Sequence, residues 1–222
     1  MMRPHVLMIS EITADGKLTL GKGVSSKILM KYMSPEAEVM LHQTRAEYDA
    51  IMVGSNTIRI DNSNLTVRLV EGKSPLRVIP NASADLPLDS NVFNVKNAPT
   101  VLAVTKKAPE SRIEAFRKAG VSVVAAGDEQ IDFPLLMNIL CEQFGVKSLI
   151  IEGGPTLNWF MLHDRLVDEI RLIHMPFIVG GADTPSLVGG ARLGSENDMI
   201  KLDLKSTKMV GSNLVTEYDV TY

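Results

Sequence analysis

The segment SLIIEGGPTLNWF, residues 148–160, passes from a strand pattern to a helix pattern across two glycines, and that order decides the fold class. Leu149, Ile150 and Ile151 form a short apolar run of the kind covered on both faces of a parallel sheet. Glu152 stands where the strand should end. Gly153 and Gly154 permit positive φ and close backbone approach, Pro155 suits a first helical turn, and Leu157, Phe160 and Met161 have helical spacing. A helix N-terminus directly after glycines offers free N–H groups and partial positive charge to an anion such as a pyrophosphate. The other reading is that Gly-Gly-Pro is only a tight turn. The rest of the chain has to choose.

Working outward, residues 100–105 (TVLAVT) and 121–125 read as buried strands, with helical patterns at 110–119 and 134–144 between them and the glycine turn. Toward the N-terminus, residues 5–10 (HVLMIS), 49–53, 65–69 and 76–79 are strand-like. Thr13 to Lys17 carries Asp-Gly turn chemistry, and a helix begins at Ser34-Pro35 and runs to about Ala46. Strands alternating with helices predict a largely parallel sheet. After the glycine turn the pattern changes. Residues 169–175 (EIRLIHM) form a strand, 176–191 are rich in Gly and Pro, and 201–209 and 214–222 predict an antiparallel hairpin around Gly211-Ser212-Asn213. With no repeat or linker in view, one α/β domain over residues 1–222 is expected: a mixed, mostly parallel central sheet flanked by helices, with a C-terminal antiparallel hairpin.

The 222 residues are 45% hydrophobic, enough for a full core, and the net charge of −3 with scattered basic residues leaves no electrostatic footprint for nucleic acid. The single cysteine, Cys141, excludes an intrachain disulfide and suits a reducing cytoplasm. No stretch reaches 18 apolar residues, so neither a membrane span nor a signal peptide is expected. The four histidines lie far apart in sequence and suggest no metal site.

In open α/β sheets ligands sit outside the carboxyl ends of the strands, so residues 54–57, Thr105 and residues 152–154 are expected to converge on one crevice. Thr57 and Asp61 are spaced i and i+4, which on a helix puts a hydroxyl and a carboxylate on one face; the alternative is a cap and a solvated loop acid. Arg45 and Arg68 read either as surface side chains or as planar clamps for a phosphate.

The blocks TADGK (13–17), RAEYDAIMVGSNTIRIDNSNLTVR (45–68), PLRVI (75–79), LIIEGGPTLN (149–158), LVDEIRL (166–172) and PFIVGG (176–181) together resemble the reductase of riboflavin biosynthesis. That family includes the C-terminal domain of the bacterial bifunctional deaminase-reductase and stand-alone archaeal and fungal enzymes. The resemblance implies a dihydrofolate-reductase-like fold, a homodimer, and hydride transfer from NADPH to C1′ of a ribosylaminopyrimidine 5′-phosphate, a small-molecule substrate. It further implies that Thr57, Asp61, Thr105, Gly153, Gly154, Pro155, Thr156 and Leu157 bind the cofactor. Ser25, Arg45, Leu65, Arg68 and Glu152 match substrate positions, and Asp61 and Glu152 are the carboxyl groups available to handle a proton.

The chain departs from the family at three places. Ile9, beside Ser10 and Glu11, stands where bacterial members carry a lysine; Asp61-Asn62-Ser63 replaces Asp-Asp-Pro or Asp-Asn-Pro; and Pro80-Asn81 replaces the usual Asp after the PLRV strand. One cysteine cannot build the deaminase zinc site, so a lone reductase acting on 2,5-diamino-6-ribosylamino-4(3H)-pyrimidinone 5′-phosphate is the expected arrangement. The alternatives are a dihydrofolate or pterin reductase on the same fold and a non-catalytic nucleotide-binding protein.

Overall fold

The computed structural model describes residues 2–222, and nine strands lie among them. The contacts group into two compact units, one made of Met1–His5 with Leu41–Ile150 and the other of Val6–Met40 with Ile151–Tyr222.

In the first unit the strand order is β5 (Ser122–Ala125), β4 (Thr100–Val104), β3 (Leu76–Pro80), β2 (Ala50–Met52) and β6 (Ser148–Ile151). The pairs β2–β3, β3–β4 and β4–β5 are parallel. β2 and β4 are buried at every position, which explains why their sequences are continuous apolar runs rather than alternations. The helices are α3 (Ser55–Asp61), α4 (Glu110–Lys118), α5 (Phe133–Phe144) and most of α2 (Pro35–Glu47). α5 starts where the Asp132 carboxylate accepts from the Leu135 N–H and ends at Gly145 in the left-handed region. Ile51, Val53, Ile58, Leu65, Ile79, Leu102 and Phe116 belong to one core cluster.

Arg77 is the exception inside this unit. Its guanidinium is fully buried on β3 and donates to the carbonyls of Asn64, Asn91, Asn94 and Ala98. Burial pushes its pKa down to about 10, so it stays a cation and its charge is answered by main-chain oxygens.

In the second unit the order is β1 (His5–Thr13, from Val6 on), β7 (Glu169–Met175), β9 (Asn213–Thr221) and β8 (Lys201–Val210). β1 and β7 are parallel, whereas β7–β9 and β9–β8 are antiparallel, as expected of the C-terminal hairpin. Gly211 at φ +58 turns that hairpin. β8 is exposed along most of its length. α1 (Lys27–Met30) and α6 (Pro155–His163) complete the unit, and Leu157, Met161 and Leu162 bury one face of α6.

Candidate active site

In the first unit the carboxyl end of β2 runs through Val53 into Gly54, which caps α3 with extended backbone. Thr57 lies inside the first turn, its N–H donating to the Gly54 carbonyl at 3.0 Å, so it is not the cap. Thr57 and Asp61 therefore share a helix face, and Asp61 is the buried last residue of α3. Thr105, just beyond β4, is at the same edge of the parallel strands β2, β3 and β4. It is buried, and its hydroxyl donates to the Ala82 carbonyl at 2.9 Å, which leaves the oxygen lone pairs to accept.

The expected strand at 65–69 is absent. Leu65 takes φ +53, a conformation outside any strand that costs an apolar L residue about 1 kcal/mol, and its side chain packs into the core cluster. The chain from Asn62 to Arg68 is irregular, and its main-chain groups are met by side chains. Asn62 accepts two hydrogen bonds of 2.8 Å from Asn91, on Oδ1 and on its carbonyl, Arg77 donates to the Asn64 carbonyl, and the Val67 N–H donates to Ser74 Oγ at 3.1 Å. The Arg68 N–H donates to Nδ1 of His42 at 3.0 Å. Arg45 Nη1 and Arg68 Nη1 both donate to the Thr66 carbonyl at 3.3 Å, and Arg68 Nη1 also reaches Thr66 Oγ1 at 3.1 Å. The two arginines named from the sequence are thus gathered on one oxygen, Arg45 buried and Arg68 exposed.

β6 ends at Ile151, where the chain passes into the second unit, and Glu152 follows, partly buried. Gly153 has φ +87, which requires glycine, and the Gly153–Gly154 peptide is cis. A Cβ on Gly153 would meet nothing within 4 Å, so there is room beside this buried glycine. Gly154 is the N-cap of α6 and no side chain caps the helix; Pro155, Thr156 and Leu157 open it. Uncapped first-turn N–H groups beside that room fit the pyrophosphate of a nicotinamide cofactor.

The 176–190 segment is fastened to this helix and to the turn after β1. The Gly189 N–H donates to the Pro155 carbonyl at 3.0 Å, and Asn158 Nδ2 donates to the Leu187 carbonyl at 2.8 Å. Gly190 at φ +92 lies so close to Trp159 that a Cβ there would overlap the indole. Asp15 accepts from Thr13 Oγ1 at 2.6 Å, the Gly180 N–H at 2.7 Å and the Val179 N–H at 3.2 Å, and these bonds hold its carboxyl down at about 2. Ser25 Oγ accepts from the Lys27 N–H at 3.2 Å, one residue ahead of Ser26, the N-cap of α1.

Sequence reasoning missed His42, Thr66, Arg77 and Asn158. A signal existed for the first, because His42 and Arg45 are spaced i and i+3 on a helix. Arg77 could have been noticed as the one charge in a run that otherwise reads as a fully buried strand. Among the described residues no group of three His, Cys, Asp or Glu side chains could hold a metal ion, and no described helix is long and apolar enough to cross a membrane.

Comparison with known proteins bears on the family and the fold. Residues 4–216 match the family model described as the RibD C-terminal domain. The chain is 48% identical over 220 residues to the 2,5-diamino-6-ribosylamino-4(3H)-pyrimidinone 5′-phosphate reductase of Aquifex aeolicus, covering 99% of this chain and 98% of that one. Among solved structures, RibD of Acinetobacter baumannii superposes with a TM-score of 0.81 at 19% identity, over 99% of this chain and 59% of that one. Dihydrofolate reductase from Enterococcus faecalis superposes with a TM-score of 0.52 at 8% identity, over 98% and 97%, which places the fold in the dihydrofolate-reductase-like class. On a match that spans nearly every residue, the chain belongs to the RibD C-terminal domain family.

Proposed function

We propose that residues 1–222 act as one reductase domain that uses NADPH to reduce the ribosyl side chain of 2,5-diamino-6-ribosylamino-4(3H)-pyrimidinone 5′-phosphate to the ribityl form in riboflavin biosynthesis. Beyond family membership, one observation carries this reading: Arg45 and Arg68 meet at the Thr66 carbonyl. Two guanidiniums on one oxygen repel by on the order of 1 kcal/mol or more, and a phosphate dianion relieves that repulsion while accepting from both forks.

The residues then take the following roles. Arg68 and Arg45 hold the 5′-phosphate, and the Leu65 main chain, turned by its positive φ, and Ser25 line the substrate. Thr57, Asp61 and Thr105 contact the cofactor, and the turn at Gly153 and Gly154 with Pro155, Thr156 and Leu157 receives its pyrophosphate at the uncapped start of α6. When bound, NADPH supplies the hydride. Reduction at C1′ requires a proton on the glycosidic nitrogen or the ring oxygen, and Asp61 or Glu152 delivers it. β8, with Leu202, Leu204 and Met209 exposed, is the surface through which we propose a cytoplasmic homodimer forms.

The test is NADPH oxidation by the purified chain with the diaminopyrimidinone phosphate, its deaminated aminouracil counterpart and dihydrofolate, each followed by product mass. Turnover of the first with a two-hydrogen mass gain is expected. Turnover of dihydrofolate alone would leave only the fold.

A further inference from the structure

We infer that His42 is a positioning residue for phosphate recognition: its Nδ1 holds the Arg68 main chain so that Arg45 and Arg68 are presented together. The inference rests on the reading of Arg68 as a phosphate clamp and adds a residue to it.

The segment 66–68 has no sheet partner to fix it. An Arg68 N–H left to water would let the chain carrying the guanidinium wander, and every hydrogen bond to phosphate would then be formed against that lost freedom. α2 removes the freedom from two sides. His42 offers an acceptor to the Arg68 N–H at 3.0 Å, and Arg45, one turn further along the same helix face, offers a donor to the Thr66 carbonyl at 3.3 Å. The Arg68 N–H and the Thr66 carbonyl are therefore both met from one helix, while the Val67 N–H between them donates to Ser74 Oγ. The Arg68 guanidinium folds back to the same Thr66, through its carbonyl and its hydroxyl, and so waits in a set direction.

The chemistry of the ring is specific. His42 is 1% exposed, and a ring nitrogen that accepts from a main-chain N–H carries no proton, so the ring bears its hydrogen on Nε2. Asparagine places an oxygen near the position of Nδ1, whereas phenylalanine keeps the ring and loses the acceptor.

The experiment compares wild type with R68K, H42F and H42N, measuring KM for the phosphorylated substrate, kcat, NADPH Kd by titration and the melting temperature. In parallel, long-range proton–nitrogen spectra of the wild-type imidazole report the tautomer. We expect R68K to raise KM about tenfold, and H42F to raise it several-fold with kcat and NADPH Kd moving far less. H42N should recover most of that loss, and the spectra should show Nε2–H with an accepting Nδ1. If R68K leaves KM unchanged, the phosphate reading of Arg68 fails and this inference with it. If R68K raises KM but folded H42F does not, the reading stands and His42 is only a packed core residue. An Nδ1–H tautomer, or an H42N variant as impaired as folded H42F, overturns the inference too; if H42F does not fold, the tautomer and the KM of H42N, expected near that of wild type, decide the matter.

Discussion

The two irregular stretches proposed to meet phosphate groups, residues 62–68 in the first unit and residues 152–154 in the second, satisfy their main chains in opposite ways. Around Arg68 the main chain is consumed by borrowed side chains, His42, Arg45, Arg77 and Ser74, so that a guanidinium is left as the group proposed to meet the ligand. At the glycine turn the main chain is itself the donor set, because no side chain caps α6, and the neighbouring segment braces the helix from its Pro155 carbonyl. The difference teaches where substitutions act. At the first stretch a change of side chain should give graded losses in substrate affinity, while at the second only a change in the space beside the backbone should matter.

The largest expected effect tests whether the proton comes from Asp61, just before the first stretch, or from Glu152 in the second. Asp61→Asn and Glu152→Gln keep volume and most hydrogen bonding but cannot shuttle a proton, so at least one should lower kcat by about 10²–10⁴-fold at saturating NADPH and substrate, with cofactor titration little changed. Loss in Asp61→Asn alone puts the acid in the first unit, and loss in Glu152→Gln alone puts it in the second. If both turn over at wild-type rates, hydride transfer relies on positioning and a solvent proton.

Next comes Gly154→Val. Gly154 has φ −76, which valine tolerates, whereas Gly153 at φ +87 does not, so the change at 154 is the one that keeps the fold. A branched side chain against the pyrophosphate should weaken NADPH by roughly tenfold or more, read by fluorescence titration, with substrate KM little altered. Unchanged NADPH affinity in a folded variant would reduce the glycines to a turn. A smaller effect is expected of Arg68→Lys, which keeps the charge and loses the fork: KM for the phosphorylated substrate should rise by about tenfold or less while NADPH affinity holds. If only cofactor binding suffers, Arg68 serves the other ligand.

Much of this molecule is legible from apolar periodicity. Glu169–Met175 is the strand that its sequence predicts, to the residue, because buried Ile170, Leu172, Ile173 and Met175 are interleaved with half-buried Glu169, Arg171 and His174, a near-alternation that suits a strand. The hairpin of β8 and β9 follows equally from its turn chemistry. The failure at residues 65–69 is instructive because LTVRL has strand propensity. Propensity lost to tertiary bonds made by His42, Ser74 and Arg77, which lie up to 26 residues away, and to the burial of Leu65 in the core cluster. That Thr57 and Asp61 share a helix face could be read from spacing alone. The partners that hold Arg45 and Arg68 could not, because no periodicity records which carbonyl a guanidinium will find.

The smallest expected effect concerns Asp15, which fastens the 176–190 segment that also braces α6. Its folded pKa of about 2 lies below the ordinary 3.8, through bonds from Thr13, Gly180 and Val179. The unfolded chain therefore takes up this proton first as pH falls, so the carboxylate's contribution is complete above about pH 4 and disappears between pH 4 and 2. Asp15→Asn removes the charge but keeps one accepting oxygen, so the variant should melt lower than wild type at pH 7 by a margin that narrows steadily below pH 4. Asp85, Asp128, Asp203 and Glu217 are also held below their usual range, and their shared acid limb appears in both proteins and cancels in the difference. Because Asp15 is solvent-accessible to its charge, added salt should shrink the margin at neutral pH as well. Thermal melts of both proteins from pH 2.5 to 7 decide the point: a margin that does not change with pH would mean that Asp15 works as a neutral acceptor, and that the brace on the glycine turn owes nothing to its charge.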